Sequence, residues 1–198
     1  MEENLTIREM AISDINAIAS IHSEELSESF LGRMGCRFLR RLYDYMFKEE
    51  SFKCFVAEGS SEICGFVAIA LDSAQFYKKI YKKHLFSLAC EVMLIGIRQP
   101  DIILSSFQLF FSKSMKPPDI KTELLSICVK KGYQGKGLGR RLVNTSLTSL
   151  KTKGIDSISV IVHPNIPANN FYKSLGFTYN RQIVLYGENF NLYLLKLS

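Results

Sequence analysis

The order of periodicities along the chain predicts an α/β protein: one mixed sheet with helices on both faces. Three observations carry that reading. Short runs of β-branched and aromatic residues with two-residue alternation recur in both halves of the chain. Between them lie stretches whose apolar residues return every three or four positions. In the second half the two kinds alternate as strand, helix, strand, helix, strand, strand, without any internal repeat.

Residues 5–9 alternate like a short strand, and Ser13 is placed to cap a helix in which Ile15, Ile18, Ile21 and His22 share a face. SFLGRMGCRFLRRLYDYMF reads as a second helix. Leu31, Met34, Phe38, Leu42, Tyr45 and Met46 form its apolar stripe, while Arg33, Arg37, Arg40 and Arg41 make its other face basic. Residues 52–58 and 63–71 are strand-like around Gly59-Ser60-Ser61, a hairpin signal. Residues 122–129 form another strand. Residues 137–153 form a helix with Leu138, Leu142, Leu147 and Leu150 on its apolar side and Gly154 at its stop. Residues 157–162 read as a strand and 167–174 as a short helix, with Pro167 at its start and Gly176 just past its end. Residues 177–185 and 190–197 form a last pair of strands around Gly187-Glu188-Asn189.

The block from Asp72 to Lys121 interrupts this order. It holds FYKKIYKKHLFSL, a break at Pro100, DIILSSFQLFF and then Pro117-Pro118, and reads as two or three amphipathic helices. The chain, 1–198, is therefore expected to be one domain with a helical insert at about 72–121.

A composition of 47% hydrophobic and 22% charged residues excludes a disordered chain. The net charge of +6 favours an anionic ligand without requiring nucleic acid, and no nucleic-acid-reading motif accompanies it. Cys36, Cys54, Cys64, Cys90 and Cys128 are scattered and lack CxxC spacing, so neither a metal site nor a disulfide framework is expected. The start, MEENLTIREM, has no apolar signal region. The most apolar run, LFSLACEVMLIGI, is too short to span a bilayer and carries Glu91. A cytoplasmic protein without stable membrane insertion is expected.

The stretch GYQGKGLGRRL, residues 132–142, joins a strand to a helix. Unpaired N–H groups at a helix start point outward, the helix dipole adds partial positive charge, and glycines remove the Cβ atoms that would block an approaching phosphate. The turn is thus a candidate cradle for a phosphate or pyrophosphate. It is not a P-loop, because Lys136 is followed by Gly137 rather than Ser or Thr. It is not a dinucleotide fingerprint either, because Asp156 precedes its strand instead of ending it.

Read as Gln134-x-x-Gly137-x-Gly139, the loop resembles the acetyl-CoA pyrophosphate loop of the GNAT superfamily of N-acetyltransferases. Three further features support the resemblance. Glu123 lies on the preceding strand at the offset of the general base in the histone-acetylating branch. HPNIPANNFYKSLGF resembles the signature Asn-x-x-Ala-x-x-Phe-Tyr, as Asn165, Ala168, Phe171 and Tyr172. The order of elements is also similar, apart from about residues 72–121.

The resemblance implies the acyl-CoA N-acyltransferase fold, with a mostly antiparallel central sheet. It implies direct transfer from acetyl-CoA, as cosubstrate, to an amine, with no metal and no acetylated enzyme. Tyr172 would be the general acid towards the CoA sulfur, and Glu123 either the general base or a plain strand-end carboxylate. The backbone of Ile127, Cys128 and Val129 would pair with pantetheine, with Asn165 assisting. Gln134, Gly135, Lys136, Gly137, Leu138, Gly139 and Arg140 would hold the pyrophosphate. Cys128 is expected to pack rather than to attack. Arg140 and Arg141 point in different directions on a helix, so one of them is expected at the phosphates.

The insert is similar to that of members associated with polysaccharide and sugar biosynthesis. Lys78, Lys79, Lys82, Lys83 and His84 interleave with Phe76, Tyr77, Ile80 and Tyr81. Several readings stay open. The insert walls the acceptor site and favours an anionic small molecule such as an amino sugar, forms a homodimer surface or cap, or touches a membrane surface. Protein amines as acceptors, and a CoA-binding sensor without turnover, are the alternative functions.

Overall fold

The computed structural model describes residues 5–60, 62–97, 120–185 and 188–197. Seven strands form one sheet: β1 (Thr6–Glu9), β2 (Phe52–Glu58), β3 (Ile63–Ala70), β4 (Glu123–Val129), β5 (Ser157–Val162), β6 (Thr178–Leu185) and β7 (Glu188–Lys196), in the order β1-β2-β3-β4-β5-β7-β6. Every neighbouring pair is antiparallel except β4 and β5, which are parallel. The expected fold class, a mixed and mostly antiparallel sheet with helices on both faces, is the one observed.

Two apolar layers sandwich the sheet. Helices α1 (Ile15–Glu25), α2 (Phe30–Arg33), α3 (Gly35–Phe47) and α4 (Ser73–Gly96) cover one face, burying Ile18, Ile21, Phe38, Leu39 and Ile80 against Phe66 and its neighbours. Helices α5 (Leu138–Thr152) and α6 (Ala168–Ser174) lie on the opposite face, where Leu138, Leu142 and Leu150 pack on Ile158 and Tyr193. Each such side chain, once removed from water, contributes roughly 1.5–3 kcal/mol.

Some local expectations need correction. Ser13 does not cap α1, because a 3-10 turn at Ile12–Asp14 comes first. The carboxylate of Asp14 instead accepts the Ala11 N–H at 2.7 Å and is gripped by Arg8 of β1 at 2.6 Å. The helix expected over 29–47 is two helices, broken where Gly35 turns to φ +79°. Gly32 is pressed against the Leu26 carbonyl so closely that any Cβ would overlap it. The apolar stripe continues across the break, so periodicity alone could not show it. In the insert, the described part is one uninterrupted helix of 24 residues, capped by Asp72, whose carboxylate accepts the Gln75 N–H at 2.9 Å. The Pro100 break, DIILSSFQLFF and Pro117-Pro118 lie outside the described residues. In the final hairpin Leu185 pairs with Glu188, so β7 begins before Phe190.

Candidate active site

The parallel contact of β4 with β5 is short. Glu123 registers with Ser159 and Leu124 with Val160, and the pairing stops there. A bulge causes this. On the other edge of β4, Ala68 pairs with Ser126 and Ile69 with Leu124, leaving Leu125 as the extra residue. An extra residue bends its strand and ends a ladder. Ile127, Cys128 and Val129 stay paired with β3 through Val67, Phe66 and Gly65 but have no register partner on β5. Their β5-side backbone edge has no strand partner, apart from the Val129 carbonyl, which accepts from Gln134 Nε2, so an extended ligand could pair there as an added strand.

The glycine turn stands at the mouth of this opening. Gly135 (φ +73°) and Gly137 (φ +78°) sit in the left-handed region, and a Cβ on either would meet nothing within 4 Å. Gly137 is the N-cap of α5, and no side chain caps that helix. Bare amides facing open space are what a diphosphate needs, so the turn fits the group. The turn is braced from behind. Glu25, at the end of α1, accepts from Gln134 Nε2 at 3.0 Å and from the Lys131 N–H at 2.8 Å, and Gln134 also donates to the Val129 carbonyl at 2.8 Å. Sequence reasoning missed Glu25, which lies over a hundred positions away from its partners. Gly139 differs from the other two glycines, because its Cβ position faces the Phe171 ring at 3.5 Å.

Lys136 bends over the Tyr133 ring and donates to the Gly132 carbonyl at 2.9 Å. The two arginines part as helical geometry requires. Arg140 reaches Ser174 of α6, and Arg141 donates to the Leu5 carbonyl at 2.8 Å.

Tyr172 projects from α6 into the opening's apolar wall, edge-on to Phe171 and Phe177. It is buried, and burial, with the neighbouring Cys128 thiol second, holds its phenol well above the usual range. The phenol therefore stays protonated at neutral pH. Burial also pushes the Cys128 thiol up to about 12, so the nucleophilic thiolate is absent at neutral pH, as expected of a packing residue.

Asn165 is exposed on the turn after β5, its N–H donating to His163 Nδ1 at 3.4 Å. Asn169 is the buried one. Its Nδ2 donates to the carbonyls of His163, Pro164 and Ile166, and its Oδ1 accepts from Asn191 Nδ2 and Tyr193 OH, both at 3.0 Å. This residue, also missed, fixes α6 and hence Tyr172 against β5 and β7. A poor helix former at the second position of a short helix is the signal that marks it.

Glu123 is buried at the closed end of the opening, beside Ala70 and Ser159. Strand alternation puts it on the face opposite Leu124, which packs under α5.

On that same face lies a cavity of about 170 Å³ between the sheet, α1–α3 and α4. Phe30, Leu31, Phe76, Tyr81, Leu88 and Leu125 are among its mostly apolar walls. Its polar groups form a string. His22 Nδ1 lies 2.8 Å from Tyr43 OH, Tyr43 is hydrogen-bonded to Ser126, and all three line the cavity. Burial lowers His22 to about 4, so the ring is neutral at pH 7. Helix α4 lines this cavity with its aromatic stripe. The lysines of α4 do not line it: Lys79 and Lys83 pair with Glu49, and Lys78 and Lys82 are exposed. The three-to-four-residue spacing of Phe76, Tyr77, Ile80, Tyr81 and Leu88 separates them from the lysines on the helix surface.

A sheet whose parallel pair opens beyond a bulge in β4, with a glycine turn beside the gap, defines the class of acyl-CoA N-acyltransferase folds. The profile of the acetyltransferase (GNAT) family matches residues 18–177, and the chain belongs to that family. A mycothiol acetyltransferase from Beutenbergia cavernae is 38% identical over 72 residues, covering 35% of this chain and 24% of that relative. The match thus spans about a quarter of that relative's length. Among solved structures, Ard1 from Thermoplasma volcanium superposes with TM-score 0.60 at 16% identity, covering 97% of each chain. A ribosomal-protein-S18-alanine N-acetyltransferase from Escherichia coli gives 0.57 at 17% identity, over 98% of this chain and 94% of that one. A variant spermidine N-acetyltransferase from Vibrio cholerae gives 0.59 at 18%, with the same coverage. At such identities these structures share the fold. Among the described residues no group of metal-ligating side chains occurs, and no helix is long and apolar enough to cross a membrane.

Proposed function

We propose that this chain transfers the acetyl group of acetyl-CoA directly to a primary amine of a small-molecule acceptor. The observation that carries the proposal is the open edge of β4 from Leu125 onward, which runs between the glycine turn and Tyr172. The amides of Gln134 to Arg140 would take the diphosphate, and the backbone of Ile127, Cys128 and Val129 the pantetheine arm, with Asn165 at its side. In the transfer, the amine nitrogen bonds to the acyl carbon as the carbon–sulfur bond breaks. One N–H proton passes to Glu123, directly or through water. Tyr172 gives a proton to the departing sulfur and recovers one from solvent as Glu123 releases its own.

An internal cavity beside β4 supports a small acceptor over a protein one. An amino sugar was the acceptor that the insert's lysines suggested. Lys79 and Lys83 pair with Glu49, which leaves Lys78 and Lys82, both exposed, as the lysines behind that choice. The named relatives act on acceptors as different as spermidine and a ribosomal protein, so family membership leaves the acceptor open.

Titration calorimetry with acetyl-CoA, joined to a thiol-release assay over a panel of amines, tests the proposal. Binding followed by amine-dependent CoA release is the expected result. Binding without release on any amine would favour a CoA sensor instead.

A further inference from the structure

The cavity and its polar string bear on the choice of acceptor, an inference that rests on the proposed transfer reaction. Ser126 belongs to both places. It sits on the part of β4 that has left β5, and it lines the cavity. From there the walls become apolar: aromatic and aliphatic side chains of α2, α3 and α4, with little polar surface other than His22, Tyr43 and Ser126. His22, Tyr43 and Ser126 are joined by hydrogen bonds, and a hydroxyl can give one and take one along such a string. The string is neutral at pH 7 and offers no counter-charge to a polycation or an anion. Glu91, the acidic residue of α4 near this layer, is taken by Arg41 and Arg37. A volume of about 170 Å³ exceeds the roughly 150 Å³ of an apolar cavity that accommodates benzene. The phosphate turn and α5 lie on the other side of the sheet, so the cavity faces the gap from the side opposite the coenzyme's diphosphate.

We infer that the acceptor is a primary amine with an apolar body, an aryl or alkyl group, seated in this cavity with its nitrogen at the Ser126 end. Charged hydrophilic amines would leave the walls unfilled and bury their polar groups without partners. The insert then acts as the specificity wall: Phe76, Ile80, Tyr81 and Leu88 set the shape that the body must fit.

The test is a thiol-release assay with acetyl-CoA on matched primary amines: 2-phenylethylamine and hexylamine against ethylamine, glucosamine and spermidine. The expected kcat/KM for the aryl and long alkyl amines exceeds that of ethylamine by about tenfold or more. Leu31→Trp and Val92→Trp, made separately, place a ring into the cavity from two different helices. Either variant that keeps its acetyl-CoA affinity should lose the preference. The inference is overturned by equal or better use of glucosamine or spermidine. It is also overturned if the preference survives both substitutions, or if hexanoyl-CoA replaces acetyl-CoA with advantage while the amines stay equivalent, which would assign the cavity to the acyl donor. Acetyl-CoA binding with no turnover on any amine would remove the transferase reading and this inference together.

Discussion

Arg41 of α3 and Glu91 of α4 meet at 2.6 Å, and through this pair α4 is fastened to α3. Glu91 is buried and receives a second, longer contact from Arg37 at 3.5 Å. A carboxylate in the middle of an apolar run is thereby explained, as are two of the three arginines of α3. Arg41→Ala would leave a buried charge with one weak partner. It is expected to cost about 2–3 kcal/mol, less than for a fully buried pair because Arg41 is partly exposed. Denaturant unfolding measures this. Arg41→Met with Glu91→Met should recover most of the loss, since replacing both charges removes the desolvation cost along with the attraction.

Tyr172→Phe removes the hydroxyl and keeps the ring between Phe171 and Phe177. If the phenol is the acid, kcat falls by about a hundredfold or more while acetyl-CoA affinity is retained. Steady-state kinetics with parallel calorimetry separate the two quantities. Unchanged turnover in single-turnover experiments would take Tyr172 out of the mechanism.

Asn169→Ala would strand the Tyr193 hydroxyl, which donates to Asn169 at 3.0 Å in the buried layer, and would free the carbonyls of His163 and Pro164, while the Ile166 carbonyl keeps the backbone N–H of residue 169. The expected loss is about 2–3 kcal/mol, seen as a lower denaturation midpoint at unchanged slope. Asn165→Ala, at an exposed position, should leave stability within about 0.5 kcal/mol. An equal effect of the two substitutions would contradict the division of labour between these asparagines.

His22 makes stability depend on pH with a definite sign. Its folded pKa is about 4, below the ordinary 6.5, because burial disfavours the charged ring. Above pH 6.5 the ring is neutral folded and unfolded, and its full contribution is present. As pH falls from 6.5 towards 4 the unfolded chain binds a proton that the folded one refuses, so stability declines, by roughly 3 kcal/mol in all. Asp14, whose carboxyl is lowered by its bond to Arg8, loses its contribution at more acid pH, as it falls through and below 3.8. Equilibrium unfolding across pH 4–7 should show the first decline in the wild type and a flatter profile in His22→Gln.

The glycines of the turn divide by environment. Gly137→Ala forces a Cβ onto a φ of +78° and is expected to cost about 1 kcal/mol, as well as acetyl-CoA affinity. Gly139→Ala has ordinary contact with Phe171 and lies in the first turn of α5, so stability is expected to hold or rise slightly. A loss of acetyl-CoA affinity at constant stability in Gly139→Ala would show that the coenzyme approaches the backbone at this position too. Thermal melts and calorimetry on both variants measure the difference.

What the sequence settled by itself is whatever short-range chemistry dictates. Alternation and helical spacing located the strands and the main helices. The glycine turn was legible because positive φ, bare amides and a helix start are all local requirements. Tyr172 could be picked out as a candidate because its signature is continuous in the chain. Tertiary structure alone decided the rest, because the deciding contacts join distant residues. A bulge at Leu125 depends on how β4 meets β3, and no composition announces it. Glu25 braces a turn more than a hundred positions away. The aromatic and lysine stripes of α4 were both visible, yet which one faces the cavity depended on where Glu91 found Arg41 and where Lys83 found Glu49. Periodicity says that a helix has two faces; only packing against the sheet chooses between them, since the free energy of burial is gained on the face that meets a partner.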